Sequence, residues 1–251
     1  MSIQTKSRIL NVDDQESDRY AISRILRREG FEVKEAATGA ETLQLAMEIP
    51  DLIILDVRLP DFNGFEICRK LKHEPPTIAI PVLLLTATYH DDESRVKGLE
   101  SGAEGYLTQP IEPAVLVAHI NALLRARNAL RESETRYRML LDNLPAGVYV
   151  VQNERIQFVN KRFAEMMGAT QDELVGKSFL DAAHPEDREL LRESTARQLA
   201  GMALTRRIEF RLIAKDRNVR WVEAFDTLID YEGKPAVLRN MVDVAGRRQR
   251  G

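Results

Sequence analysis

Cysteine is almost missing from this chain: Cys68 is the only one in 251 residues. That excludes an internal disulfide and any multi-cysteine metal site, and it suits a reducing compartment. Long apolar runs are missing too. None approaches the roughly 18 residues of a membrane span, and the start, Met-Ser-Ile-Gln-Thr-Lys-Ser-Arg, lacks the apolar core of a signal peptide. A cytoplasmic location with no membrane partner is expected. Aromatics make up 6% of the residues, with no RNA-binding aromatic motif, helix-turn-helix pattern or zinc-finger spacing among them. Excess positive charge is also lacking. The net charge is −3, split as −6 over the first 110 residues and +3 over the rest. The basic stretch Gly246-Arg247-Arg248-Gln249-Arg250 is short and reads as a solvated chain end, so no nucleic-acid partner is expected. What remains, 44% hydrophobic and 30% charged residues, is enough for two domains.

The first half is organised around Asp51-Leu52-Ile53-Ile54-Leu55-Asp56, a short apolar run ending in an aspartate. A run of this kind predicts a strand buried on both faces, as in a parallel sheet. Asp56 then stands at the strand's carboxyl end, where open α/β sheets bind ligands. Three other apolar runs end in the same way: Ile9 to Val12 in Asp13-Asp14, Val82 to Leu85 in Thr86, and Tyr106-Leu107-Thr108 in Gln109-Pro110. Helical patterns separate the strands. Ile22, Ile25 and Leu26 share one face before Gly30, and Leu43, Ala46 and Met47 share another within residues 39 to 48. Phe65, Ile67, Cys68 and Leu71 follow Gly64, and a fourth helix is expected from about Glu93 to Leu99. Phe31 to Ala36 alternates like a strand at the border of the sheet. Five strands alternating with helices predict a doubly wound parallel sheet.

These motifs, namely Asp13-Asp14, Asp56, Leu59-Pro60-Asp61 to Gly64-Phe65-Glu66, Thr86-Ala87 and Gly105 to Pro110, resemble the receiver domain of two-component response regulators. The match spans residues 6–126. The resemblance implies the flavodoxin-like strand order 2-1-3-4-5, which brings Asp13, Asp14 and Asp56 together. It further implies Mg²⁺ held by Asp13, Asp56 and the Arg58 backbone carbonyl with help from Asp14, and Asp56 as phosphoacceptor from a sensor histidine kinase or phosphotransfer protein. Thr86 would bond the phosphoryl oxygens and couple to an aromatic switch at Tyr106. The bland alternative makes Asp13, Asp14 and Asp56 mere helix and turn caps. A haloacid dehalogenase-type phosphatase would need a carboxylate two residues after its nucleophile, where Arg58 stands. Receivers usually carry a lysine where this chain has Gln109, so the site has either drifted neutrally or lost some phosphorylation or coupling.

From Glu112 to about Asn143 one long helix is expected, with residues 127–143 as the linker. Leu116, Leu123, Leu130, Tyr137 and Leu144 recur every seven residues. The early ones, Leu116, Ile120 and Leu123, are expected in the receiver core, and the later ones with Leu140 form a seam suited to a homodimer.

The second half, residues 133–246, begins with a predicted hairpin around Gln152-Asn153-Glu154. Several short helices follow, then strands at about 208–212, 219–229 and 236–244. An antiparallel sheet with helices on one side is expected. Asn143 to Gly147, Phe158-Val159-Asn160, Phe163-Ala164, Glu173 to Lys177, His184-Pro185-Glu186-Asp187, Arg220-Trp221-Val222 and Val242-Asp243-Val244 resemble a PAS sensor domain with a closing PAC-like segment. The resemblance implies a dimerising domain that either holds a ligand of unknown identity between sheet and helices or has an empty packed core and serves signalling or dimerisation alone. Cysteine-dependent flavin photochemistry is excluded, since Cys68 lies in the other half. His184 suits a helix entry better than a haem ligand, and His73, His90 and His119 look like surface residues. The whole reads as a non-enzymatic phosphoacceptor module. The alternatives are the regulatory front of a larger hybrid histidine kinase, or an adaptor with a weakly phosphorylated receiver.

Overall fold

The computed structural model describes residues 6–86, 100–202 and 207–244. The chain divides into two compact units, Met1–Glu132 and Ser133–Gly251. The first contains β1 (Arg8–Val12), α1 (Glu16–Arg28), β2 (Glu32–Ala36), α2 (Gly39–Ala46), β3 (Leu52–Asp56), α3 (Gly64–His73), β4 (Val82–Thr86), β5 (Gly105–Thr108) and the start of the long helix α4 (Pro113–Asp142). Its strands lie in the order β2-β1-β3-β4-β5, and every neighbouring pair is parallel. The helix expected at Glu93 to Leu99, together with Ala87 and His90, lies outside the described residues.

Alternation along the strands builds a core on each face of this sheet. Ile53 and Leu55 join Leu10, Val12, Val82 and Leu84 beneath α2 and α3, where Ile67, Cys68 and Leu71 close the layer. Leu52 and Ile54 join Ile9, Leu83 and Leu85 on the opposite face, against Ile22 and Leu26 of α1 and Leu116, Ile120 and Leu124 of α4. Each such side chain removed from water contributes about 1.5 to 3 kcal/mol. That is why the central run is apolar without interruption.

Two expectations about helix faces need correction. Met47 is largely exposed, because α2 stops at Ala46 and Met47 is its C-cap residue, beyond the last core-facing turn. On α4 the core takes Leu116, Ile120 and Leu124, while Leu123 is only partly buried and packs at the margin. The first turns of α4 follow the stripe of four-residue steps that suits packing on a sheet, and the seven-residue seam does not govern there.

The second unit opens with the end of α4 and continues through β6 (Gly147–Gln152), β7 (Arg155–Val159), α5 (Lys161–Met167), α6 (Gln171–Leu174), α7 (Arg188–Leu199), β8 (Arg207–Ile213), β9 (Val219–Tyr231) and β10 (Lys234–Asp243). Its sheet has the order β7-β6-β10-β9-β8, antiparallel throughout. Asn153 and Glu154 take positive φ at the β6–β7 hairpin (52° and 59°), and Glu232 and Gly233 do so between β9 and β10 (53° and 75°). One sheet face packs against Phe163, Met166 and Met167 of α5 and Leu191 of α7. The fully buried Asn160 ties the entry together. Its Oδ1 accepts from Val148 N (2.8 Å) and Phe163 N (2.9 Å), while its Nδ2 donates to the carbonyls of Leu141 (2.8 Å) and Ala146 (3.0 Å).

Candidate functional site

The carboxyl ends of β1 and β3 are neighbours in the sheet, so the residues just beyond them meet. Carboxylate oxygens of Asp13, Asp14 and Asp56 lie within 4.8 Å of one another. Asp13 and Asp56 are 3% and 9% exposed, whereas Asp14 faces solvent. Local hydrogen bonds hold the two buried members. Gln15 N donates to Asp13 Oδ1 (2.9 Å) and Arg58 N donates to Asp56 Oδ2 (3.0 Å). The Asp13 main chain is fixed as well, since its N–H reaches Ala36 O (3.1 Å) and its carbonyl accepts from Arg19 Nη1 (2.6 Å). Beneath it the fully buried Asn11 donates through Nδ2 to Arg19 O (2.9 Å) and Ser23 Oγ (3.0 Å), joining β1 to α1.

Crowded carboxylates in a partly dry pocket resist ionisation. Burial, with smaller contributions from the charges of Asp56, Asp18 and Asp14, pushes Asp13 up to about 6 against the opposing Gln15 N–H bond. Asp56 is also raised, first by burial and then by Asp14, although N–H groups of Arg58 and Val57 oppose the shift. Such a cluster has a place for a hard divalent cation: its donors are all oxygens, it gathers three carboxylates, and one of its members is open to solvent.

Thr86 ends β4, next to β3, and is 5% exposed. It pairs in register with Thr108 of β5, and its carbonyl accepts from Gln109 N (2.7 Å). Tyr106 is half-buried and packs against the core beneath α2 and α3. Gln109 is half-buried, and the bond between it and Pro110 is cis. The structure thus brings Asp13, Asp14 and Asp56 into one cluster, and places Thr86 and Gln109 at the carboxyl ends of the two strands beyond β3.

Three further groups were not foreseen from the sequence. The Asp61 carboxylate accepts from Gly39 N (2.8 Å) and Ala40 N (2.9 Å), the first N–H groups of α2. At the other end of β3, the buried Arg127 of α4 donates to Pro50 O (3.1 Å) and Asp51 Oδ1 (3.3 Å). In the second unit Arg239, fully buried, donates to both carboxylate oxygens of Asp226 (2.5 Å each), to Tyr149 Oη (2.9 Å) and to Thr195 Oγ1 (3.2 Å). Strand parity was the available signal for the last. Asp226 alternates with the buried Val222 and Ala224, and Arg239 with Val237 and Met241. His184 lies at the entry of the short turn Pro185–Asp187, with Nδ1 accepting from Glu186 N (3.4 Å).

Comparison with known proteins follows the division into units. The family model "Response regulator receiver domain" matches residues 9–121, and the model "PAS fold" matches residues 156–240. The chain is 33% identical over 216 residues to the response regulator PleD of Caulobacter vibrioides, covering 79% of this chain and 47% of PleD. It is 34% identical over 163 residues to the phosphate regulon transcriptional regulatory protein PhoB of Pseudomonas aeruginosa, covering 60% of this chain and 70% of that one. Among solved structures, a CheY-like receiver domain protein of Methanospirillum hungatei is 31% identical with a TM-score of 0.46, over 50% of this chain and 98% of that one. The chain spans about half the length of most of the curated relatives it matches.

Proposed function

Since the chain belongs to the response regulator receiver family, carries a PAS fold after that domain and is a two-component signalling protein, we propose that its acidic cluster binds Mg²⁺ and that Asp56 accepts a phosphoryl group. The carrying observation is the meeting of Asp13, Asp14 and Asp56 within 4.8 Å. Asp13, Asp56 and the Arg58 carbonyl would hold the ion, with Asp14 assisting. Bound Mg²⁺ would neutralise the carboxylates and draw charge from the phosphoryl oxygens. The Asp56 carboxylate attacks the phosphorus of a phosphohistidine on a sensor kinase or phosphotransfer protein. The phosphorus–nitrogen bond breaks, the imidazole leaves and takes up a proton, and an acyl phosphate remains on Asp56. Thr86 supplies a hydroxyl hydrogen bond to the new phosphoryl group, and Tyr106 responds to the movement of Thr86. On this reading the chain is a phosphoacceptor module, with residues 6–126 as receiver, 127–143 as helical linker and 133–246 as PAS domain. The PAS unit and the exposed seam of α4 form a homodimer. Among the described residues no helix is long and apolar enough to cross a membrane.

Incubation with acetyl phosphate and Mg²⁺, followed by intact-mass measurement, tests the assignment. One phosphoryl group is expected on the wild type and none on Asp56→Asn. A wild type that gains no mass with any phosphoryl donor would leave the receiver as a binding adaptor. Gln109 favours that second reading in part, because an uncharged side chain stands where receivers usually carry a lysine. A lysine there offsets about one of the one to two negative charges gained on phosphorylation. Gln109→Lys is therefore expected to speed mass gain about tenfold, from roughly 1 to 2 kcal/mol of added charge-assisted bonding. Equal rates in the two proteins would mark Gln109 as neutral drift.

A further inference from the structure

We propose that Asp61 is a positioning residue for the acidic site: its carboxylate clamps the loop after Asp56 onto the first turn of α2, and so fixes Arg58, whose N–H orients the Asp56 carboxylate. The inference rests on the metal-binding reading of that site. Three ties define the loop. Gly64 N reaches Val57 O (2.8 Å) and closes its base, Arg58 pairs across the loop with Asn63 in an isolated antiparallel bridge, and Asp61 reaches α2. Of these three only the last reaches another element, while the base of the loop is held to β4 by Val57 N, which donates to Leu85 O (3.0 Å). A β3 strand that ends rigidly in Asp56 still leaves the carboxylate free to turn about its own side-chain bonds, so the position of Arg58 N, with Val57 N beside it, helps to set where Oδ2 points.

The first turn of α2 shows why the tie is specific. A helix begins with N–H groups that have no partner within it. Thr38, the N-cap residue, satisfies Glu41 N through its hydroxyl (3.2 Å) and Thr42 N through its carbonyl (3.0 Å). Gly39 N and Ala40 N are left over, and both go to Asp61, more than twenty residues away in sequence. The approach depends on glycine. A Cβ on residue 39 would stand 2.2 Å from Ile67 Cδ1 and 2.9 Å from Phe62 Cδ2. Phe62, next to Asp61, is held in turn beneath Lys70, whose Nζ lies 4.3 Å from the ring centroid. Thr38 caps the later N–H groups of this turn and Asp61 the first two, so the long-range bonds complete the start of α2 and hold the loop against it at once.

The experiment compares full-length wild type, Asp61→Ala, Asp61→Asn and Thr38→Ala. Mg²⁺ affinity is measured by titration calorimetry, melting temperature without metal by circular dichroism, and the Mg²⁺ concentration for half-maximal phosphorylation by intact mass. Outer partners that orient ligands typically change metal affinity by 10 to 100-fold, and Asp61→Ala is expected to weaken Mg²⁺ binding about tenfold. The half-maximal Mg²⁺ concentration should rise in step. Asp61→Asn, with one carbonyl oxygen for two N–H donors, should fall between. Thr38→Ala removes a bond from the same turn but none from the loop, so it should lower the melting temperature and leave the affinity unchanged. Equal Mg²⁺ affinity in wild type and Asp61→Ala overturns the inference, as does an equal loss in Thr38→Ala. A wild type that binds no Mg²⁺ removes the metal reading itself, and this inference with it.

Discussion

Asp13 is buried beside two other carboxylates, and its elevated pKa has a consequence for stability. A carboxyl whose folded pKa of about 6 lies above its ordinary 3.8 holds its proton more tightly in the folded state. Its contribution to stability is therefore fully present below pH 3.8 and is lost as pH rises through 6. Without metal at neutral pH, the ionised side chain costs on the order of 2 kcal/mol. Asp13→Asn is expected to melt above wild type in a chelating buffer at pH 7.5, and the gap should close as pH falls toward 4. Saturating Mg²⁺ should reverse the order, because only the wild type keeps the full ligand set and gains stability from binding. Urea melts in both buffers measure this. A wild type more stable than Asp13→Asn in chelator at every pH would contradict the strain assigned to the cluster.

At the scale of elements, the strand alternation that buries Val222, Ala224, Val237 and Met241 also buries Asp226 and Arg239. Two charges taken out of water cost several kcal/mol each, and their attraction repays this only while both are present. Asp226→Leu is expected to destabilise the second unit by roughly 3 to 5 kcal/mol, and the double change with Arg239→Met should recover most of that loss. Trp221 of β9 reports on this unit, and urea melts followed by its fluorescence give both values. The comparison also marks what was legible beforehand. Uninterrupted apolar runs ending in Asp or Thr showed the parallel strands, since period and composition are local, whereas the meeting of Asp13, Asp14 and Asp56 followed from the strand order that the receiver resemblance implies. The strand positions of Asp226 and Arg239 were equally visible, but a lone charge at an inward position reads as an edge or a solvated face until its partner is placed opposite. Asp61 was invisible as a cap for a different reason. Its donors, Gly39 N and Ala40 N, are backbone groups of another element, and no side-chain pattern reports them. The helix α4 misled at Leu123 because a seven-residue repeat and a four-residue stripe share Leu116 and part company a turn later.

At the scale of the molecule, α4 leaves Leu130, Tyr137 and Leu140 more than 60% exposed, and Leu144, expected in the same repeat, falls just past the end of the helix and is 40% exposed. Apolar side chains at these spacings are what a second helix covers. Light scattering on the full chain at tens of micromolar, where weak homodimers populate, is expected to give a dimer, and Tyr137→Glu with Leu140→Glu a monomer. A fragment of residues 1–132 should be monomeric as well. A monomeric full chain would remove the seam from the list of interfaces. The choice of that fragment follows from Arg127. The receiver family model matches only as far as residue 121, yet Leu124 still closes the core and Arg127 is still buried, reaching Pro50 O and Asp51 at the entry of the strand whose exit is Asp56. A piece cut where resemblance ends would open a hole over Leu52 and Ile54 and strand the Asp51 carboxylate without its guanidinium. The folding unit is longer than its family signature, and where the gene is divided decides whether the isolated piece is a faithful sample of the whole or a damaged one.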